Sequence, residues 1–149
     1  MDSNVLAALM GVLAIVGVIL LIWLVIYIVS LWKIFTKAGE AGWKSIIPIY
    51  SSYVQYSIIW NTKMFWVTFG LSIVSNIIST INRGNPSTIL TLLSVIISII
   101  SVIIFILASH KLSKAFGHGA GFTVGLVLLN PIFMLILAFG SSEYEGVPD

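Results

Sequence analysis

Cysteine is absent from the 149 residues of this chain, and charged residues are scarce. Without a thiol, the chain can form no disulfide, has no thiol nucleophile and offers no cysteine ligand to a metal. Charged residues make up 8% of the chain and hydrophobic residues 59%, whereas soluble domains contain about 25% and about 45–50%. Twelve charges cannot cover the surface of a water-soluble fold of this size, and the composition therefore indicates an integral membrane protein.

Other functional classes leave no signal in the sequence. The basic residues form no dense cluster interleaved with base-stacking aromatic residues, so nucleic-acid binding is not expected. A phosphate loop and a dinucleotide-binding fingerprint are both missing. The N-terminus is not expected to be a cleavable signal peptide, because its first charge is Asp2 and its apolar run is too long.

Four apolar stretches are candidates for membrane crossings, since about 20 helical residues match the hydrocarbon core of a bilayer. They cover residues 5–32, 64–82, 87–109 and 120–140. We expect a kink in the last stretch at Asn130-Pro131, because proline removes a backbone hydrogen bond. Residues 45–62 predict an amphipathic helix lying in the interface, with a re-entrant turn or a fifth transmembrane helix as the alternatives. Residues 141–149 predict an acidic, mobile tail.

The basic residues predict the orientation of the chain. With four crossings, six of the seven Lys and Arg residues fall on one side, and Arg83 falls on the other with Asp2 and the acidic tail. Lys and Arg are kept on the cytoplasmic side of membrane proteins. We therefore predict an all-α integral membrane protein of the plasma membrane. It forms one domain over residues 1–149, with four transmembrane helices, one interfacial amphipathic helix and both termini extracytoplasmic.

Hydroxylated residues recur at helical spacing on the second and third predicted spans. They are Thr68, Ser72, Ser75 and Ser79 on the second span and Thr91, Ser94, Ser98 and Ser101 on the third. Small hydroxylated residues let transmembrane helices approach and hydrogen-bond across their interface, so we expect the two stripes to face each other. The alternative is a polar path for water, an ion or a small solute, although both stripes lack the ionisable residues typical of coupled transport.

Aromatic residues concentrate near the predicted cytoplasmic interface, as aromatic belts do in membrane proteins. One interpretation is simple anchoring, and the other is a platform that binds lipid or a partner helix. The candidate contact residues are Trp43, Pro48, Tyr50, Tyr53, Tyr56 and Phe116. The expected partners are the bilayer with its anionic headgroups, another membrane protein, or a second copy of the chain.

Catalytic and metal-binding patterns are weak. His110 and His118 have no carboxylate near them in the sequence, and we expect them to be solvated loop residues. Glu40 lies among lysines, where it is expected to balance charge rather than act as a base. Ser–His–Asp chemistry would need a carboxylate that orients the histidine. We therefore expect no enzymatic activity, no cofactor and no metal site.

Several motifs together resemble a known family. They are residues 33–50, which run from Lys33 through Gly42-Trp43 to Tyr50, then 115–122, 130–133 and 137–140, followed by Tyr144 and Gly146. This pattern is similar to a small, functionally uncharacterised prokaryotic membrane domain that also occurs in front of some bacterial type I signal peptidases. The resemblance implies a compact helical membrane domain with a structured cytoplasmic aromatic segment. It does not imply peptidase activity, because the extracytoplasmic β-rich domain that carries the Ser/Lys dyad is missing here.

The sequence thus favours a non-enzymatic membrane protein that acts as a scaffold or accessory module. Its contacts with lipid or other membrane proteins would use the aromatic segment. The alternative is a homo-oligomer that transports a small solute or an ion along the hydroxylated stripes.

Overall fold

The computed structural model describes residues 2–149, which form helices joined by short connections. The α-helices are α1 Ser3–Lys37, α2 Pro48–Ile59, α3 Thr62–Gly84, α4 Thr88–Ala115, α5 Ala120–Leu128 and α6 Asn130–Phe139. A 3₁₀ helix, Gly42–Ile46, connects α1 to α2, and no strand occurs between residues 2 and 149. Three of the helices, α1, α3 and α4, are long and apolar enough to cross a membrane. The predicted all-helical, membrane-type fold is confirmed.

The first two predicted spans lie within α1 and α3, and the third lies within α4 except for Ser87, which is its N-cap; each helix is longer than predicted. Helix α1 has 35 residues and is therefore about 52 Å long, at 1.5 Å per residue. A hydrocarbon core is about 30 Å thick, so α1 extends beyond it. Residues 3–25 are exposed almost throughout, whereas Leu31, Ile34 and Phe35 near the other end are fully buried.

The fourth predicted span, residues 120–140, is two short helices rather than one. Helices α5 and α6 meet at Leu129, whose backbone is not helical, with φ −128° and ψ 47°. The reason is local: Pro131 has no N–H to continue the hydrogen bonding of α5. The side-chain amide of Asn130 donates to the Leu126 carbonyl at 3.1 Å and so provides a partner for the end of α5. With 9 and 10 residues, neither helix is long enough to cross a bilayer.

The two ends of this pair lie together, so α5 and α6 form a helical hairpin. The His118 Nε2 and Ser142 Oγ atoms, which flank the pair, are 2.7 Å apart. The rings of Phe122 and Phe133 are in edge contact, with centroids 5.0 Å apart. Gly125 permits this approach, because a Cβ atom at that position would collide with the Phe133 ring. The predicted kink is therefore a reversal of direction.

Lys37, in the last turn of α1, holds the end of α6. Its ammonium group donates to the carbonyl oxygens of Leu137, Gly140 and Ser142 at 2.7, 2.9 and 2.9 Å. The last carbonyl groups of a helix have no partner within the helix. A cation is also favoured there by the helix dipole. Lys37 therefore satisfies these carbonyls and keeps α6 beside α1.

The acidic tail is packed against the same end of the molecule. The Lys111 ammonium donates to the main-chain oxygens of Pro148 and Asp149 at 3.0 and 2.9 Å, and the Glu145 N–H donates to the Ala115 carbonyl at 2.7 Å. A fourth crossing is therefore not confirmed, and the tail contacts the lysines from which it was predicted to be separated. A hairpin of two short helices returns the chain to the end from which it started.

The hydrophobic core lies at this end, where α1, α2, α4, α5 and α6 meet. We call it the lysine end, since it carries Lys33, Lys37, Lys44, Lys63, Lys111 and Lys114. Helix α2 contributes Val54, Ile58 and Ile59 to the core. Burial raises the pKa of Tyr144 in the tail, so its hydroxyl stays protonated and donates to the Ile58 carbonyl at 2.7 Å. The tail thereby covers one side of α2.

Lys37→Met is expected to destabilise the lysine end, because it removes three hydrogen bonds while keeping an apolar stem of similar length. Hydrogen bonds to a charged group contribute about 1.5–3 kcal/mol, so we expect the free energy of unfolding to fall by about 3 kcal/mol. Limited proteolysis of the full chain in detergent micelles should release the tail faster. Lys33→Met, at an exposed position one turn earlier, is the matched control. Equal cleavage rates in the two variants would contradict this role of Lys37.

Candidate functional site

Aromatic rings form a continuous ladder along α2 and the start of α3. Trp43 stacks on Tyr50 with centroids 6.3 Å apart, and Tyr50 stacks on Tyr53 at 6.1 Å. Tyr53 meets the edge of Phe65 at 5.5 Å, and Phe65 meets the edge of Trp66 at 5.1 Å. Edge-on and offset contacts of this kind are the favoured geometries for aromatic pairs. The ladder therefore joins rings from three consecutive elements of the chain.

A tight connection between α2 and α3 positions the ladder. Helix α2 ends at Ile59, and Asn61 is the N-cap of α3, where its side-chain oxygen accepts from the Met64 N–H at 3.1 Å. Asparagine is among the best N-cap residues, because it satisfies one of the free N–H groups at a helix start. Phe65 and Trp66 thus fall in the first turns of α3, directly beside Tyr53.

The ladder lines an apolar groove of about 540 Å³ between α2 and α3. The groove, which we call the aromatic groove, is lined by Ile47, Ile49, Tyr50, Tyr53, Phe65 and Trp66. Ile49 and Trp66 are each 62% exposed. Exposed apolar side chains that cluster beside polar residues are typical of an interaction surface.

Two lysines are near the aromatic groove, Lys44 by its position over Tyr50 and Lys63 by its place at the start of α3. The Lys44 ammonium is 5.8 Å from the centre of the Tyr50 ring and forms an ion pair with Glu40. This hydrogen bond with Glu40 raises the pKa of Lys44, which therefore stays charged. Lys63 is exposed in the first turn of α3, two residues before Phe65. The predicted charge-balancing role of Glu40 agrees with its pairing to Lys44.

The predicted contact residues fall into different environments. Trp43, Tyr50 and Tyr53 belong to the ladder, and Pro48 is exposed at the first position of α2. Phe116 is only 2% exposed and packs against the Tyr144 ring, with centroids 5.5 Å apart. The prediction that Phe116 contacts a partner was wrong, because the tail covers it.

The hydroxylated stripes line a cleft between α3 and α4. This polar cleft has a volume of about 500 Å³ and is lined by Tyr56, Thr68, Ser72, Ser75, Asn76, Ser98, Ser101, Ile104 and Phe105. Within it, Ser72, Ser98 and Ser101 donate to carbonyl groups of their own helices at 2.8, 2.8 and 2.9 Å. The stripes therefore face the same space, but the hydroxyl groups of these three serines do not hydrogen-bond across it as predicted.

The side-chain hydrogen bond that joins α3 to α4 lies at the turn between them. The Asn82 amide donates to the Thr91 hydroxyl at 3.1 Å, and its oxygen accepts from the Ser87 N–H at 2.8 Å. Ser79 and Ser94 lie on the same part of the helix pair, outside the lining of the cleft. The eight stripe residues thus divide into a group near the turn and a group that forms the cleft.

The two histidines connect the hairpin to α4 and the tail. His110 Nδ1 is 3.0 Å from the Thr123 hydroxyl of α5. His118 stacks on Phe122 with centroids 4.2 Å apart. Both rings are half-buried, so the expectation of solvated loop histidines was wrong. Between residues 2 and 149, no three His, Asp or Glu side chains are close enough to hold a metal ion.

Tyr56 lines three different cavities. It lines the polar cleft, and also a pocket of about 330 Å³ between α2 and α3. A third, smaller pocket of about 150 Å³ is lined by Tyr27, Gln55, Tyr56, Ile59, Phe105, Ala108, Ser109, Leu112 and Asn130. Sequence reasoning missed this third pocket. The signal that could have found it is the presence of isolated uncharged polar residues in apolar helices.

Comparison with known proteins identifies a family but no characterised relative. The model of a family of unknown function, DUF5684, matches residues 43–147, which include the aromatic ladder, the polar cleft and the hairpin. No curated protein and no solved structure matches the chain. The matched segment begins after α1, although Leu31, Ile34 and Phe35 of α1 belong to the core. The match covers more than half of the residues of the chain, and the chain therefore belongs to the family of unknown function DUF5684.

Proposed function

We propose that this protein is a non-enzymatic accessory module of the plasma membrane, which binds lipid or another membrane protein through the aromatic groove. The observation that carries the proposal is the groove itself: exposed aromatic rings beside two lysines at one end of a membrane-type helix bundle. The resemblance to a domain that occurs in front of signal peptidases agrees with an accessory role beside other membrane proteins.

The proposed threading has three crossings, by α1, α3 and α4, with the α5–α6 hairpin entering and leaving on the cytoplasmic side. Six of the seven basic residues then lie in the cytoplasm, and Arg83 lies outside. The acidic tail shares the cytoplasmic side with the lysines, but the orientation rule counts Lys and Arg rather than net charge. The N-terminus is extracytoplasmic and the C-terminus cytoplasmic in this arrangement.

An interfacial position for α2 fits the same threading. With 12 residues, α2 is too short to cross a bilayer. Its start lies beside Lys44, which is near Tyr50, and its end lies beside Lys111, whose ammonium is 5.4 Å from the centre of the Trp60 ring. Both ends of α2 are therefore at the lysine end, which favours the interfacial helix over a fifth transmembrane helix.

Cysteine labelling tests this threading, since the natural chain has no cysteine. The single variants Asn4→Cys, Asn85→Cys and Val147→Cys introduce a thiol at exposed positions. With a membrane-impermeant maleimide, we expect the first two to react on intact cells and the third to react only after permeabilisation. Reaction of Asn4→Cys and Val147→Cys together on intact cells would instead support four crossings.

Between the two kinds of partner, the geometry favours an anionic lipid. The apolar walls of the aromatic groove suit an acyl chain. Lys44 beside Tyr50 and the exposed Lys63 at the start of α3 suit a phosphate group. Each basic residue near an anionic membrane surface contributes about 1 kcal/mol of attraction. Tyr50 and Trp66 are also amphipathic rings, which are preferred at the level of the headgroups.

Replacing Tyr50 and Trp66 together by alanine should weaken lipid retention about tenfold, or by about 1.4 kcal/mol, because the acyl chain loses both aromatic walls. The measurement is the titration of dioleoylphosphatidylglycerol adducts on the full chain by native mass spectrometry from neutral micelles. Both residues are exposed, so circular dichroism should show an unchanged fold. Trp23→Ala, at an exposed position on α1, is the control. Unchanged retention, or an equal loss in the control, would rule out the groove as the lipid site.

A second candidate function is transport by a homo-oligomer, and the polar cleft is the observation that favours it. The hydroxyl groups of Ser72, Ser98 and Ser101 line an open space on the side of the α3–α4 pair. Exposed polar surface is unfavourable against hydrocarbon, so a second copy would cover it and enclose a path.

The transport hypothesis predicts a flux of water, glycerol or an ion in proteoliposomes that Ser75→Leu or Ser98→Leu abolishes, because leucine fills the cleft. Ser79→Leu, outside the lining, should leave the flux unchanged and serves as the control. If the unmodified protein shows no flux, the transport hypothesis fails.

A further inference from the structure

A small pocket lies between α1, α2, α4 and the tip of the α5–α6 hairpin, apart from the aromatic groove. Its volume is about 150 Å³, which corresponds to about five water molecules at roughly 30 Å³ each. Five uncharged polar side chains line it: Tyr27, Gln55, Tyr56, Ser109 and Asn130. The rest of the lining is apolar. Each of these polar residues comes from a stretch that is otherwise largely apolar, and the fold brings them together.

Most of the polar groups around this pocket have no hydrogen-bond partner in the protein, but they are not sealed off. Tyr27 is 39% exposed, and Ser45 Oγ is the one buried side-chain N or O atom of residues 2–149 that lacks a partner. Across residues 2–149, the side chains of Tyr27, Gln55, Tyr56 and Ser109 form no hydrogen bond with another residue, and Asn130 uses one N–H on the Leu126 carbonyl. Polar groups without partners are costly at membrane depth even where they are accessible, because hydrocarbon offers no hydrogen bond. Their convergence on one space therefore indicates a ligand with both donors and acceptors.

The position of the pocket along the helices limits the kind of ligand. Tyr27 precedes Lys37 by ten residues, or about 15 Å of helix, and Asn130 lies at the tip of a hairpin of similar depth. Ser109 lies close to Lys111 at the lysine end. With the lysines near the headgroups, the pocket extends from the level of the lipid glycerol groups into the upper acyl region.

We propose that this pocket binds an uncharged glycerol moiety, with its hydroxyl and ester oxygens, as found on a neutral glycerolipid such as diacylglycerol. Tyrosine and serine hydroxyl groups and amide N–H groups donate to such oxygens, and the amide oxygens accept from a free hydroxyl. A phosphate group is not suited to the pocket, because no cation lines it to offset the charge.

The polar cleft provides a lateral entrance from the bilayer. Tyr56 and Phe105 line both the cleft and the pocket and therefore form the wall between them. Rotation of these two side chains would connect the two spaces, and the acyl chains of a bound glycerolipid would remain in the cleft. This site is separate from the aromatic groove, so it does not depend on the proposed binding of anionic lipid there.

The test is the titration of the full chain in neutral micelles with dioctanoylglycerol and, separately, with glycerol, followed by native mass spectrometry. We expect one saturable dioctanoylglycerol per chain. The double variant Tyr27→Phe with Tyr56→Phe should weaken this binding about tenfold, because only two hydroxyl groups are lost and the rings keep their packing. Thr80→Val, which removes an exposed hydroxyl on α3 outside the pocket, the cleft and the groove, should leave the affinity unchanged.

Each outcome decides the proposal. Binding of dioctanoylglycerol alone supports a lipid source for the glycerol group, and binding of glycerol as well supports a site for free polyols of the same chemistry. No binding of either compound, or equal binding in the double variant, would show that the pocket holds water only and would overturn the proposal. Phosphatidylglycerol adducts that Tyr50→Ala with Trp66→Ala weakens and the pocket double variant leaves unchanged report on the aromatic groove. A failure there is therefore distinguishable from a failure of the pocket.

Discussion

The ammonium group of Lys37 binds three carbonyl groups at the end of a returning helix, and the lysine end is assembled around this contact. The last carbonyls of α6 need partners, because a helix cannot satisfy them itself. Lys37 offers three donors at the point where α1 leaves the apolar region. With α6 held beside α1, the tail crosses the core and places Tyr144 over Phe116 and α2. A hairpin of two short helices thereby stands where one long helix was predicted.

This arrangement also creates the cavities. The tip of the hairpin brings Asn130 next to Tyr27 of α1 and Ser109 of α4, which are far apart in sequence. Helix α2 packs against the core at the lysine end, where its Tyr56 lines the polar pocket and its Tyr50 and Tyr53 belong to the aromatic ladder. One short helix thus separates an outer apolar groove from an inner polar pocket, and each suits a different part of a lipid.

Much of the framework could be predicted from the sequence. The spans within α1, α3 and α4 follow from hydropathy and length, and the break at Asn130-Pro131 follows from the chemistry of proline. The concentration of aromatic residues near the lysines was predicted, and Trp43, Tyr50 and Tyr53 do form the ladder. Phe116 was misassigned, because the sequence around an aromatic residue beside a basic loop does not show whether the tail covers that residue. The histidines were misassigned for the same reason.

The sequence by itself determined that the chain is helical and of the membrane type, because so few charges leave no other way to accommodate its apolar residues. It also determined which end carries the basic residues. Only the tertiary structure decided that residues 120–140 turn back. A proline permits both a kink and a reversal, and the choice depends on the long-range hydrogen bonds from Lys37 and the close approach of Phe133 to Gly125. The polar pocket likewise exists only in three dimensions, since its members share no spacing along the chain.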